Sequence, residues 1–315
     1  MRLNALELFL ELSQAESIRQ TARSRGVKPS VVSRQIGSLE HYFRAELFDR
    51  NAEGIRLTEA GRLLVGFARV IMADVRNARG TLDDLRGLER GEVVVYAGGA
   101  PATGVLASVV AGLHRRHPRL RFTLHATSSN EVQLAVADGV ADLGFTMFSS
   151  DLSKVDLKHR VKLEHVLIMS RNHPFAGLER VLLRRLAEIP LALPDPSFGA
   201  RRSFEALLAR QELQLEPAFV CNSLSVQKEL AIGGAAALLL PVMCCQRELS
   251  MGLLAAVPLE KGEELTTTLD LFCAKRRTLP FAARTLADAL VQAMNGLPCG
   301  LYPPTDRERQ LPATP

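Results

Sequence analysis

A short polar cluster is the strongest candidate for chemistry in this chain. Ser30, Ser33 and Arg34 are spaced i, i+3 and i+4, so a helix places all three on one face. A guanidinium group can donate two parallel hydrogen bonds to O6 and N7 of guanine, and a serine hydroxyl can donate or accept. On its own the cluster is equally typical of an ordinary solvated helix surface. The predicted elements around it are therefore needed to choose between DNA contact and a solvated surface.

The residues around this cluster predict three helices in quick succession. Residues 3–15 have apolar side chains at helical spacing, and Ser17 has the position of an N-cap, with Gln20 as its capping-box partner. The second helix is expected to end near Gly26, and Pro29 has the position of a first helical residue. The third helix then runs to about residue 43, and its predicted buried side consists of Val32, Ile36 and Leu39. This arrangement predicts a helix-turn-helix.

Basic residues are concentrated in the same stretch. No acid lies between Ser17 and Ile36, and the whole chain has a formal net charge of +5. The basic residues there are Arg19, Arg23, Arg25, Lys28 and Arg34. The charge suits a polyanion such as DNA, although a solvated face would look the same. Lys28 precedes the third helix at the position where a capping side chain is usual. The helix should lose about 1 kcal/mol of stability without that cap, and it gains a positive charge there.

A hairpin and a long helix follow. Gly54 lies at the tip of the predicted hairpin, which Arg50 and Arg56 flank; both could contact phosphates, and Arg50 could instead hold the hairpin against the helices. Thr58 is the expected cap of a helix that reaches about Glu89, roughly 48 Å long at 1.5 Å per residue. Such a helix suits packing against a second copy through an apolar stripe that includes Leu63, Phe67, Val70 and Leu82.

From Gly91 onwards strand patterns alternate with helix patterns, which predicts an α/β domain with a parallel sheet. The expected loop at residues 98–101 follows the first strand and opens a helix. The longest apolar run has 16 residues, fewer than the about 20 that span a membrane, and the N-terminus does not resemble a signal peptide. We therefore expect a cytoplasmic protein with no membrane partner and a disordered, proline-rich tail at residues 297–315.

Taken together, residues 17–22, 27–36, 47–50 and 57–61 resemble the LysR-type transcriptional regulators. The resemblance implies a winged helix-turn-helix DNA-binding domain at residues 1–58 and a linker and dimerisation helix at 59–90. It also implies a bilobed, periplasmic-binding-protein-like α/β effector domain at 91–296. Lobe I would comprise residues 91–161 and 266–296, and lobe II residues 162–265.

The implied function is ligand-controlled DNA binding by a homodimer or homotetramer, with RNA polymerase as a possible further partner. The implied DNA contacts are Lys28, Pro29, Ser30, Ser33, Arg34, Arg50 and Arg56. The expected effector is a small organic anion between the lobes, because backbone N–H groups at helix starts favour negative charge. Its candidate contacts are Gly98, Gly99, Ala100, Thr103, Ser128, Ser129, Ser197, Phe198 and Asn222, and these segments contain no acid.

Three alternatives remain open at this point. The regulator could sense thiol oxidation through Cys221 or the Cys244–Cys245 pair, or it could be constitutive. Residues 91–295 alone would also suit a solute-binding or enzyme domain. The chain has no GxSxG, HExxH, P-loop or Rossmann glycine pattern, and its seven histidines lack metal-ligand spacing, so we expect no enzymatic activity, cofactor or metal.

Overall fold

The computed structural model describes residues 3–15, 17–51, 54–85, 90–149, 152–196, 198–275 and 278–297. The N-terminal elements are α1 (Leu3–Leu12), α2 (Ile18–Ser24), α3 (Pro29–Phe43), β1 (Phe48–Asn51), β2 (Gly54–Leu57) and α4 (Glu59–Leu85). The first helix is shorter than predicted, and the residues expected to end α4 and to form the tail beyond Leu297 lie outside the described ranges. Strands β1 and β2 form the predicted antiparallel hairpin.

Local signals set the ends of these helices. The Ser17 side chain accepts a hydrogen bond from the Gln20 backbone N–H at 3.2 Å, which caps α2. Gly26 has a φ of +62° in the turn before α3, where a residue with a Cβ would be strained. Helix α3 begins at Pro29 as predicted, and Lys28 provides no side-chain cap.

These elements share one apolar core. Its largest fully buried side chains include Phe9, Leu6, Leu12, Ile36, Leu39 and Leu47. Helix α4 contributes Leu64, Ala68 and Met72 to the same core. Because only one side of α4 is used in this way, its other side is left exposed.

The remaining elements alternate as strands and helices. In order they are β3 (Gly91–Gly98), α5 (Gly99–Pro101), a π-helical turn (Ala102–Leu106), α6 (Ala107–Arg116), β4 (Leu120–Thr127), α7 (Ser129–Ala137), β5 (Leu143–Met147), β6 (Val155–Ser170), 3₁₀ turns at Pro174–Gly177 and Leu183–Glu188, β7 (Ala192–Leu193), α8 (Gly199–Arg210), β8 (Phe219–Val220), α9 (Leu224–Ile232), β9 (Leu238–Pro241), a 3₁₀ turn at Val242–Cys244, α10 (Gln246–Ser250), β10 (Leu254–Pro258), β11 (Thr266–Ala274) and α11 (Phe281–Asn295).

The main sheet is mixed rather than parallel throughout. Within the described ranges its strand order is β10-β6-β11-β5-β3-β4, with β9 also paired to β6. Strand β3 is parallel to β4 and β5, but β11 is antiparallel to both β5 and β6. The prediction of a parallel sheet therefore holds for β3, β4 and β5 but is wrong for β6 and β11, which are neighbours that run in opposite directions.

Strand β6 runs through both halves of the α/β domain, from the half that contains β3, β5 and β11 to the half that contains β9 and β10. Its first part pairs with β11, and residues 166–170 pair with β10. Backbone bonding changes near His165, whose N–H donates to Leu265 O at 2.8 Å. A ligand between the halves would therefore lie next to a continuous strand.

The far end of α4 is attached to the C-terminal helix. Asp84 Oδ2 accepts a hydrogen bond of 2.7 Å from the Phe281 backbone N–H at the start of α11. A Cβ added at Gly80 would lie 2.8 Å from Pro280 Cβ, so the two helices are in close contact. No helix in the described ranges is long and apolar enough to cross a membrane.

Candidate DNA-binding surface and effector cleft

The polar face of α3 is exposed to solvent. Ser30 and Arg34 are exposed and Ser33 is half-buried, whereas the opposite side of the helix is fully buried through Val32 and Ile36. In the described part of the chain, no hydrogen bond or ion pair engages the Arg34 side chain. The face is thus available to an external hydrogen-bonding partner.

The basic run divides into available and engaged side chains. Arg25 Nε lies 2.8 and 2.7 Å from the two Glu11 carboxylate oxygens, and a second Arg25 nitrogen lies 3.4 Å from Glu7. These carboxylates raise the pKa of Arg25, chiefly through the hydrogen bond to Glu11. Arg25 therefore joins α2 to α1, while Lys28 is exposed directly before α3, next to exposed Pro29.

The hairpin is held against the start of α4. Thr58 Oγ1 accepts from Gly61 N at 3.0 Å and donates to Glu46 O at 2.6 Å, so one hydroxyl caps α4 and bonds to the segment directly before β1. Arg56 is exposed on β2 and opposite Asp49 in the strand register. Arg50 occupies β1 opposite Ile55, and the structure describes its backbone only.

The uncovered side of α4 is strongly apolar. The exposed fractions are 64% for Leu63, 68% for Phe67, 37% for Val70 and 56% for Leu82. Leu63 and Phe67 border a groove of about 470 Å³ between α4 and the end of α3. Its lining is apolar throughout: Phe43, Ala45, Leu47, Ala60, Leu63, Leu64, Phe67 and Ile71.

The first predicted effector segment is helical rather than a loop. Helix α5 begins at Gly99, directly after β3. A Cβ at Gly98 would lie 3.0 Å from Thr146 Oγ1, whereas one at Gly99 would meet nothing within 4 Å. Thr103 Oγ1 donates to Gly99 O at 3.1 Å within the same helical segment, and Ala100 is half-buried. Open space therefore adjoins the backbone at Gly99.

Ser129 reaches the same strand ends. Its Oγ lies 2.8 Å from Thr146 Oγ1 and 2.8 Å from Met147 O. Since Gly98 also contacts Thr146, the ends of β3 and β5 and the first turn of α7 meet at one polar point. Thr146 is fully buried and was not among the predicted residues, although a lone hydroxyl in an apolar strand was a visible signal.

Two other predicted contacts are engaged by acids. Ser128 caps α7 in a capping box with Glu131, whose carboxylate accepts from the Ser128 N–H and hydroxyl. These bonds and one from Thr127 lower the Glu131 pKa, with Thr127 the largest cause. Asn222 Oδ1 accepts from Asp195 N at 2.9 Å, and its amide donates to the Asp195 carboxylate. The predicted segments contain no acid themselves, but Glu131 and Asp195 outside them bond directly to two of them, so negative charge is present beside the site.

The last predicted segment lies at the start of α8. Phe198 is 40% exposed and precedes the helix without a side-chain cap, and Ser197 lies outside the described residues. Within those residues, no group of three or more His, Cys, Asp or Glu side chains could hold a metal ion.

Two family models match the chain. Residues 3–62 match the bacterial regulatory helix-turn-helix protein, lysR family, and residues 86–295 match the LysR substrate binding domain. The chain belongs to the LysR family. This LysR-family chain is therefore a transcriptional regulator with an effector-binding domain, which confirms the resemblance and fold class predicted from its sequence.

Curated relatives carry the same kind of description, and solved structures share the fold. A probable RuBisCO transcriptional regulator of Cyanophora paradoxa is 26% identical over 258 residues, 80% of each chain. One from Nostoc sp. is 24% identical over 92% of this chain and 87% of its own. Full-length OxyR from Pseudomonas aeruginosa superposes with a TM-score of 0.70 at 16% identity, covering 94% and 95% of the two chains. CbnR in complex with its target DNA has a TM-score of 0.67 at 18% identity, covering 93% and 100%.

The cysteines of this LysR-family chain give little support to thiol sensing. Burial raises the pKa of the Cys245 thiol to about 12 and that of Cys244 still further. Such thiols stay protonated at neutral pH, and the thiolate is the reactive form. Cys273 is also buried, Cys221 is half-buried, and Cys299 lies outside the described residues.

Proposed function

We propose that this LysR-family regulator binds double-stranded DNA in the cytoplasm through α3, with Arg34, Ser30 and Ser33 contacting base edges. The supporting observation is the exposed, unengaged Arg34 on a helix whose opposite side is buried. A bidentate arginine contributes about 1–3 kcal/mol of discrimination at one base pair. Lys28, Pro29 and the hairpin residues Arg50 and Arg56 would position the protein on the phosphates.

The test is a gel shift with the full chain on an operator selected from mixed promoter DNA and on random DNA. Arg34→Ala should lose about 1–3 kcal/mol on the operator and little on random DNA. Lys28→Ala should weaken both alike and lower the salt slope by about one. Arg25→Ala serves as the matched arginine control, because Arg25 is bound to Glu11. Equal losses on both DNAs for Arg34→Ala would contradict base recognition.

Dimerisation through α4 is part of the proposal. The exposed stripe of Leu63, Phe67, Val70 and Leu82 needs an apolar cover, and a second copy presents the same stripe. A two-fold dimer, or a dimer of dimers, would place paired α3 helices on a two-fold operator. Effector binding would then change the spacing of these helices and so act on transcription by RNA polymerase.

The proposed effector is a small organic anion held where β3 and β5 end. The open backbone at Gly99 and the start of a helical segment support this choice. Ser129 would act by fixing the adjoining end of β5, because its hydroxyl donates to Met147 O. Thr103 and Ala100 border the same helical turn. Glu131 and Asp195 limit the site, because their negative charge disfavours an anion beside Ser128 or Asn222.

Thermal shift of the full chain against carboxylates, amines and neutral sugars tests this site. Carboxylates should raise the Tm, and a Ser129→Ala/Thr103→Ala double variant should remove most of that rise. Ser108→Ala is the matched control, because it removes an α6 hydroxyl that donates to Val105 O in the preceding π-helical turn. Stabilisation by amines alone, or undiminished stabilisation of the double variant by carboxylates, would contradict the proposal.

A further inference from the structure

Of the four buried side-chain polar atoms without hydrogen-bond partners in the described ranges, three belong to segments that contact or adjoin Phe148. The four atoms are Asp84 Oδ1, Ser149 Oγ, His165 Nε2 and Arg201 Nη1. The other Asp84 oxygen already caps α11. Most buried polar atoms in proteins are bonded, so the three others, which lie in different elements, require an explanation.

Phe148 connects the elements that carry these three atoms. It directly follows β5 and precedes Ser149, and its ring centroid lies 5.9 Å from that of His165 on β6. A Cβ added at Gly199 would lie 2.6 Å from Phe148 Cβ, so Phe148 also contacts the start of α8, two residues before Arg201. Phe148 has a φ of +59°, a left-handed conformation that costs a phenylalanine about 1–2 kcal/mol. Such strain persists only where its surroundings enforce it, commonly at functional sites.

The hydrogen bond on the other ring nitrogen fixes the chemical role of His165. The residue is 3% exposed, and its Nδ1 lies 3.1 Å from Leu239 O. A carbonyl oxygen only accepts, so Nδ1 carries the proton and Nε2 is an unprotonated acceptor. A group that satisfies Nε2 must therefore donate a hydrogen bond.

Arg201 offers the opposite chemistry. Its side chain is only 12% exposed, and Nε donates to Glu205 at 2.7 Å while Nη1 has no partner. Arg201 lies on the face of α8 that buries Phe204 and Leu208, at i+3 and i+7, so it points inward. A guanidinium only donates and matches a carboxylate, and the Ser149 hydroxyl can donate beside it.

We infer that the effector is a hydroxy acid, whose carboxylate accepts from Arg201 and Ser149 and whose hydroxyl donates to His165 Nε2. This rests on the proposed effector function and narrows its ligand class. The carboxylate is held from both halves of the domain, by Arg201 on one side and by the backbone N–H at Gly99 on the other. A carboxylate without a hydroxyl leaves His165 unsatisfied, and an amine leaves Arg201 unsatisfied.

The test compares acids that differ by one hydroxyl, using calorimetry on the full chain. The probe pairs are lactate with propionate and malate with succinate. The hydroxy member of a pair should bind at least tenfold more tightly, as one satisfied buried acceptor is worth about that factor. His165→Asn retains a donor near Leu239 O but lacks Nε2, and should abolish the difference within the pair.

Arg201→Gln should weaken both members of a pair at least tenfold, while Arg202→Gln, one residue further on an exposed position, should change neither. The Arg201 variants decide independently if His165→Asn does not fold. Equal binding within both pairs, no binding of any acid, a difference that survives His165→Asn, or an inert Arg201→Gln each overturns the inference. DNA binding is measured in parallel. If the chain binds hydroxy acids but does not bind DNA sequence-specifically, the proposed DNA-binding function is rejected and the hydroxy-acid inference stands.

Discussion

Truncation of Phe67 gives the sharpest test of the proposed dimer interface on α4. Phe67 is 68% exposed, which corresponds to roughly 130 Å² of a phenylalanine side chain that buries about 200 Å² when covered. At about 25 cal/mol per Å², full cover by a partner is worth about 3 kcal/mol per copy. Alanine keeps the Cβ, so Phe67→Ala should lose about 2 kcal/mol per copy, counted twice in a two-fold dimer.

The summed loss of about 4 kcal/mol corresponds to about a thousandfold weaker dimer. Sedimentation equilibrium of the full chain over a range of concentrations should show dissociation of Phe67→Ala where the wild type remains associated. Leu82→Asp, at the other end of the stripe, should dissociate this interface by burying an unpaired carboxylate. Met251→Ala is the control, since Met251 is 60% exposed and lies directly after α10, away from α4 in the chain. A Phe67→Ala curve that superimposes on the wild-type curve would refute α4 as the dimer interface.

Two further predictions concern the centre of the effector domain. Burial lowers the pKa of His165 to about 4 from 6.5, so the unfolded chain binds its proton first as the pH falls. The contribution of His165 to the free energy of unfolding should therefore be fully present above pH 6.5 and decline by about 3 kcal/mol towards pH 4. Urea unfolding over this pH range measures the decline, and His165→Asn should flatten it. If the wild type and the variant show the same pH dependence, His165 is not its cause. Gly199→Ala should cost about 1–3 kcal/mol by clashing with the Cβ and ring of Phe148. A Phe148→Gly background removes those atoms and should remove most of that cost, and additive effects in the double-variant cycle would count against the contact.

Local signals in the sequence predicted the N-terminal elements well. Ser17, Gly26 and Pro29 set helix ends through interactions within a few residues, and the apolar spacing of α3 identified its buried side. The α/β class of the second part also followed from alternation. These features depend on short stretches of chain, which the sequence shows directly.

The features that the sequence did not reveal depend on distant partners. In the first part of β6, Val155, Leu157, Val161 and Leu163 alternate with charged residues, so a local strand signal was visible there and was missed. Its antiparallel pairing with β11 could not be read in the same way, because it joins residues about 100 positions apart. The contacts of Asn222 with Asp195 and of Phe148 with Gly199 are equally non-local. The bond between Ser128 and Glu131 was different, because the Ser-x-x-Glu spacing is a visible capping-box signature.

The hydrogen bond from Phe281 N–H to Asp84 gives α4 the properties of a lever. The helix has 27 residues and is about 40 Å long, with the DNA-binding unit at one end and its anchor on α11 at the other. A tilt of about 5° at the anchor displaces the far end by about 3.5 Å, close to the rise of one base along a DNA strand. A rotation of the effector domain by this small angle is therefore enough to shift α3, the proposed recognition helix, by about one base-pair step.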